Sequence, residues 1–325
     1  MNQLRTAPVP PPREPGRPTT PVTLADLPTS VWVTAQKTAA GQRRDRYTPA
    51  SSAHPAKMLP AIAAHAISTY TAPGQLVLDP MCGIGTTLIE AVDLGRNALG
   101  IELEGRWTAT ARANLHLART RGATGTATVT TGDARHTHTL LDPEHHGRVQ
   151  LLLTSPPYGA SVHGRVRPTR DTHRGGIAKF NATYGAHPAN LAHASTDHLL
   201  DAFTAILTNC LPLLAPGAHV AVTARPWRHH GELVDLPTAI IAAGQNAGLT
   251  PVERCIALLA AVRDGELLAR PSFFQLTNIR AARAAGIPMH LIVHEDVLVF
   301  TKPGDRRTLA HPTDHAANSA KGTVA

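Results

Sequence analysis

Aromatic residues and cysteines are both scarce in this chain. Phe, Trp and Tyr make up 4% of its 325 residues. The three cysteines, Cys82, Cys210 and Cys255, stand far apart and offer neither a disulfide framework nor a zinc-ligand pattern. That usage fits a reducing compartment. The pairs His145–His146 and His229–His230 lack a third ligand at suitable spacing, so no metal is expected. No apolar run reaches the length of a bilayer span, and MNQLRTAPVPPP at the start is not a signal peptide. A soluble, cytoplasmic protein with no membrane attachment is therefore expected. Acids are in deficit: 23 Asp and Glu against 31 Lys and Arg give a net charge of +8 and a pI near 9.9. A basic surplus suits a polyanionic partner such as nucleic acid.

Apolar periodicity is missing at both ends. Residues 1–30 hold eight prolines and read as a disordered or extended arm, and 304–325 read as a disordered tail. Between them, 31–303 alternate short apolar strands with helical stretches. The strands are expected at 76–79, 98–103, 127–133, 149–155 and 219–224, then at about 252–262 and 292–300. Helices are expected at 57–70, 86–95, 105–121, 197–214 and 231–247, with a shorter one at 276–285. This alternation predicts a three-layer α/β domain around a mostly parallel sheet. The last two strands lack a long crossover helix and predict an antiparallel hairpin at the sheet edge. Two irregular insertions, 159–195 and 263–291, interrupt the pattern; long loops in such a domain are uncommon unless they serve a function.

The chemistry-bearing residues lie just past strand ends. In 78-LDPMCGIGTTLIEA-91, Asp79 ends a strand, Pro80 follows it, Gly83 and Gly85 make a tight turn, and Thr86 and Thr87 open a helix. Glycines let the backbone approach a ligand, and the helix start supplies free N–H groups. Glu102 ends the second strand, where a carboxylate can accept both hydroxyls of a ribose. Asp133 follows the third, where it can accept from an adenine amino group. A third glycine is missing from 83-GIGTTL-88, which disfavours a dinucleotide. A carboxylate at the first turn repels a pyrophosphate but suits an ammonium group. Adenosine carrying an ammonium points to S-adenosylmethionine. Trp107, opening the helix after Glu102, is placed either against the adenine or under its own helix.

The fourth strand runs into 155-SPPY-158, where two prolines remove two donors and turn the chain out of the sheet. The order Asp79-Pro80…Gly83…Gly85-Thr86-Thr87 followed by Ser155-Pro156-Pro157-Tyr158 resembles the class I amino-methyltransferases of nucleic acids. The resemblance covers most of 54–302 and includes 54-HPAKMLP-60, similar to a stretch just before the cofactor strand in that group. It implies S-adenosylmethionine as cofactor and a clamp for a flipped exocyclic amine. In that clamp the Ser155 hydroxyl and Pro156 carbonyl accept the amine hydrogens, Pro157 stiffens the corner, and Tyr158 stacks on the base.

Serine at the first clamp position resembles the cytosine-N4 branch acting on DNA, including enzymes of restriction–modification. Met81-Cys82 is instead similar to guanosine-N2 methyltransferases of tRNA or rRNA. A DNA cytosine-N4 enzyme is the leading expectation. The alternatives are the RNA enzyme and, from another class, a non-catalytic cofactor-binding regulator of nucleic acid. No separate target-recognition domain is visible. The first insertion carries Arg165, Arg167, Arg170, Arg174 and Lys179, with Phe180 and Tyr184 nearby, which suits phosphate contact and base stacking. In the second insertion, Phe273 and Phe274 either wedge beside an extruded base or cover the sheet edge. The run 43-RRDR-46 offers cations for phosphate or for solubility.

Overall fold

The computed structural model describes residues 28–157, 164–168, 177–181, 184–185, 187–229, 232–271 and 273–304. The chain divides into two units, Met1–Ser30 and Val31–Ala325, and the account below concerns the second. Eight strands form its main sheet: β1 (Val31–Trp32), β2 (Leu76–Asp79), β3 (Asn97–Glu102), β4 (Ala127–Thr131), β5 (Val149–Thr154), β6 (Leu214–Ala224), β7 (Thr250–Leu258) and β8 (His294–Thr301). Their order across the sheet is β1-β7-β8-β6-β5-β2-β3-β4, and only β8 runs against its neighbours.

The strand sequences explain why both faces are covered. In β5, VQLLLT, Leu152 packs into a core on one face while Leu151 and Leu153 pack into a core on the other. Leu78 and Val77 of β2 divide in the same way. Alternating residues point to opposite faces of a sheet, so an unbroken apolar strand needs helices on both sides. One layer is α4 (Thr196–Cys210) with α5 (Leu236–Asn246), contributing Phe203, Ile206 and Ile240. The other holds α1 (Pro60–Tyr70), α2 (Thr86–Asp93) and α3 (Gly105–Thr120), contributing Ile62, Leu88 and Ala111. Full burial of a side chain such as Phe203 contributes about 1.5–3 kcal/mol before chain entropy is charged. Local signals set the helix starts. Pro60 stands at the first turn of α1, and Ser195 and Asp235 accept from backbone N–H groups to cap α4 and α5.

The three-layer, mostly parallel sheet is as expected, with the antiparallel pair β7–β8 toward one end. Several bounds differ. Helix 57–70 starts only at Pro60, because 54–59 is extended wall rather than helix. The expected helix 231–247 shrinks to α5, preceded by a small hairpin of Trp227–His229 with Glu232–Val234. Strand β6 starts at Leu214, five residues earlier than expected, where α4 has already ended at Cys210. The segment 263–291 holds the end of a hairpin, Ala261–Arg263 with Glu266–Leu268, and then α6 (Phe273–Ala284). Within 159–195, Gly164–Pro168 pairs antiparallel with Ile177–Asn181. No helix among the described residues is long and apolar enough to cross a membrane.

This topology positions the site. The strands β2, β3 and β4 step one way across the sheet from β2, whereas β5 and β6 lie on its other side. At such a reversal the connecting loops part, leaving a crevice beyond the strands' carboxyl ends.

Candidate active site

The turn after β2 is fixed by a buried carboxylate. Asp79 Oδ2 accepts from the Thr87 hydroxyl at 2.7 Å, and Oδ1 accepts from the Thr154 hydroxyl at 2.8 Å and the Met81 N–H at 3.1 Å. Thr154 ends β5, so this bond ties the cofactor strand to the strand that leads into Ser155. Burial pushes the Asp79 carboxyl up to about 6, although all three donors pull it down. Gly83 and Gly85 hold φ of +54° and +83°, a region that disfavours side chains. A Cβ on Gly83 would also stand 3.2 Å from His54 Nε2.

Glu102 reaches back to that turn. Its Oε2 accepts from the Gly83 N–H at 2.8 Å and its Oε1 from the Glu104 N–H at 2.9 Å. Burial, with Asp79 and Glu104 nearby, pushes its carboxyl up to about 7 against the pull of those two N–H groups. Each carboxylate oxygen can accept a second hydrogen bond. Asp133 caps the short helix Ala134–His136 and is gripped by Arg135, whose Nε lies 3.0 Å from both its oxygens. Burial alone would raise the Asp133 carboxyl, but the Arg135 guanidinium and N–H hold it below the usual range.

These elements meet in one open cleft. Of the residues expected at the site, Pro80, Gly83, Thr86, Glu102, Trp107 and Asp133 line it, together with Ser155, Pro156 and Pro157. Six of the nine expected cofactor residues thus share one cavity with the diproline corner. Asp79, Gly85 and Thr87 do not line it; they stand behind its wall and brace the turn. Trp107 is buried among Tyr47, Ile84 and Ile89 and still faces the cleft, so it both packs and lines. Tyr158, Arg170 and Arg174 lie outside the described residues. Arg165, Arg167 and Lys179 stand on the ladder of Gly164–Pro168 with Ile177–Asn181, where Arg165 pairs with Phe180.

Several lining residues were not singled out from the sequence. His54, Lys57 and Met58 form one wall, and the His54 ring meets Trp107 edge-on at 4.6 Å. Tyr184, named from the sequence for base stacking, lines the cleft against the His54 ring, and Asn190 and Leu191 line it as well. Among these, sequence signals came from the HPAKMLP stretch and from Tyr184 beside the basic residues of the first insertion. In the run 43-RRDR-46, Arg43 donates to the Met58 carbonyl and Arg46 pairs with Glu90 and Asp93 at 2.8 Å each, while Arg44 and Asp45 are exposed.

Residues 18–112 match the family described as DNA methylase, a stretch that includes the His54 wall and the glycine turn but ends before β5. Over 110 residues the chain is 30% identical to the tRNA (guanine(10)-N2)-dimethyltransferase of Methanocaldococcus jannaschii, covering 34% of this chain and 31% of that protein. The chain thus spans about a third of the length of this curated relative. Among solved structures, TrmN from Thermus thermophilus aligns with a TM-score of 0.45 at 18% identity, over 80% of this chain and 53% of that one. An S-adenosylmethionine-dependent methyltransferase from Methanosarcina mazei aligns with a TM-score of 0.42 at 11% identity, over 74% and 98%.

The fold is a Rossmann-like α/β fold, and over residues 18–112 the chain is similar to the DNA methylase family, whose class I relatives use S-adenosylmethionine. S-Adenosylmethionine is the cofactor of that class, and the residues present fit it. The glycine turn gives a close backbone approach that a Cβ would fill, and Glu102 keeps acceptor capacity for a diol. Met58, Leu103, Ala134 and Leu191 offer apolar walls to a purine.

Proposed function

We propose that this chain methylates an exocyclic amine of a nucleic-acid base, with cytosine-N4 in DNA as the target. The observation that carries the proposal is the single cleft shared by Glu102, the glycine turn and the Ser155-Pro156-Pro157 corner. Glu102 would hold the ribose hydroxyls of S-adenosylmethionine, Asp133 its adenine amine, and the turn from Pro80 to Thr86 its amino-acid end, with Asp79 and Thr87 fixing that turn. The bound cofactor supplies a methyl carbon made electrophilic by a positively charged sulfur.

The rest is positioning by the chain itself. The Ser155 hydroxyl and Pro156 carbonyl accept the two amine hydrogens, which concentrates electron density on the nitrogen and leaves its lone pair directed into the cleft. No strong base is needed, because the nitrogen becomes acidic once alkylated and then sheds its proton. Pro156 and Pro157 hold the acceptor carbonyl rigid, so orientation is set before the base arrives. Tyr158 stacks on the extruded base. Arg165, Arg167, Arg170, Arg174 and Lys179 follow Ser155-Pro156 directly in sequence and supply phosphate contacts beside it. Serine at the clamp and the DNA methylase match over 18–112 support DNA cytosine.

A second reading, the 2-amino group of guanosine in RNA, is favoured by the match to the tRNA enzyme and by Met81-Cys82 in the turn. Incubation with radiolabelled S-adenosylmethionine and either duplex DNA or tRNA, followed by nucleoside analysis, separates the two. N4-methyldeoxycytidine is expected; N2-methylguanosine with unlabelled DNA would establish the second reading, and no label in either polymer would remove both.

A further inference from the structure

Two described stretches of the first insertion, Tyr184–Gly185 and His187–Leu191, border the cleft from beside His54 to Glu104. Tyr184, Ala189, Asn190 and Leu191 line it. At one end the Tyr184 carbonyl accepts from Trp107 Nε1, and the Tyr184 ring stands edge-on to His54 at 5.4 Å. At the other, Asn190 is used at both ends of its amide. Its oxygen accepts from the Ala192 N–H, capping the turn Leu191–His193, and its nitrogen donates to Glu104 Oε1 at 2.9 Å. The same Glu104 oxygen accepts from the His187 N–H at 3.1 Å. Gly185 lies so close against the Glu104 carboxylate that a Cβ has no room there. One carboxylate therefore gathers three points of these stretches, and its own N–H bonds to Glu102, the acid suited to the ribose.

We propose that Tyr184–Gly185 and His187–Leu191 form a strap across the cofactor cleft and that Glu104 is the positioning residue that latches it. The inference rests on reading the cleft as the S-adenosylmethionine site. The latched strap covers the side of the cleft between Glu102 and α4, whose Ile206 lies beneath Leu191 in the same lining. The spent cofactor then leaves only when the Glu104 contacts open, and a fresh one enters the same way. Hydrogen bonds to a carboxylate are stronger than neutral ones, so a single acid can hold the closed state without an apolar seal.

The test follows S-adenosylhomocysteine binding by stopped-flow tryptophan fluorescence on the full chain, with Trp107 in the cleft as reporter. Glu104→Ala should speed both dissociation and association, dissociation by roughly tenfold for the loss of two such bonds. Gly185→Ala should act in the same direction, because its Cβ displaces the Glu104 carboxylate. Glu104→Gln keeps an acceptor oxygen for Asn190 and His187 and should restore rates close to those of the native chain. Acceleration of both rates is the signature of an opened strap. Unchanged rates in Glu104→Ala would overturn the proposal. So would faster dissociation with unchanged or slower association, since that pattern marks a lost direct contact or a damaged cleft. Failure of the native chain to bind S-adenosylhomocysteine at all would instead remove the cofactor reading beneath it.

Discussion

At the scale of single residues, the three strand-end acids divide their work by what surrounds them. Asp79 spends its acceptors on Thr87, Thr154 and the Met81 N–H, so it braces; Glu102 spends one acceptor on each oxygen and keeps capacity toward the cleft. Burial raises Glu102 to about 7, and both its oxygens already receive N–H donors. The ionised form is the one that can still accept two hydroxyls, while a proton would occupy one of those places. Affinity for S-adenosylhomocysteine should therefore rise as pH climbs through about 7 and level off above it. Calorimetric titration between about pH 6 and pH 8.5 checks this, with Glu102→Gln expected to bind weakly and without that slope. Tyr158→Ala should cut methyl transfer by roughly 100-fold or more while leaving cofactor affinity unchanged, a split that single-turnover rates and binding titrations resolve. The acids were legible because Asp79 and Glu102 end buried strands and Asp133 follows the next strand by two residues. The partners of Asp79 were not, since the Thr154 hydroxyl arrives from 75 positions along the chain. The role of Glu104 was likewise hidden, because every group it gathers lies more than 80 residues away.

At the scale of elements, the bond between Asp79 and Thr154 joins the two strands on either side of the crevice. Thr154→Val keeps the shape of the side chain but removes one donor from a fully buried carboxylate. Unfolding in urea should show a loss of about 1–3 kcal/mol, with cofactor affinity falling as the turn loosens. An unchanged midpoint would mean that the Asp79 carboxyl is satisfied without Thr154. Most of the strands and helices could be read from the sequence, because strands such as VQLLLT are apolar on both faces and long helices carry a periodic stripe. The two-residue β1 and the hairpin Trp227–His229 with Glu232–Val234 could not. Strands of two or three residues carry no period, and their register is set by the edge they dock on. The early start of β6 was masked by 211-LPLLAPG-217, whose prolines and glycine read as a loop.

At the scale of the whole molecule, the surplus of eight positive charges accords with the proposed nucleic-acid substrate. Part of that charge is internal, however. Arg46 and Arg121 are committed to Glu90 and Asp93, so Arg46 ties the segment before α1 onto α2. Under the proposed function, the cations of the insertion are the ones assigned to phosphate. Replacing Arg165, Arg167 and Lys179 together by Ala should weaken DNA binding and lower the slope of log affinity against log salt by about 2–3, at roughly 0.9 per lost phosphate contact. An unchanged slope in fluorescence anisotropy would place the DNA on another face. The fold class was legible at this scale from strand–helix alternation alone, whereas the strap over the cleft was not, because it depends on contacts that only the assembled sheet brings together.

The account stands on the cofactor turn and the diproline corner opening into one cavity. A crystal structure of the chain with S-adenosylhomocysteine tests this directly. The ribose hydroxyls are expected on Glu102, with the sulfur facing the Ser155–Pro156 corner across a gap that one methyl group and an amine nitrogen would fill. A ligand bound outside the cleft, or one whose sulfur points away from Pro156 toward the core, would contradict it.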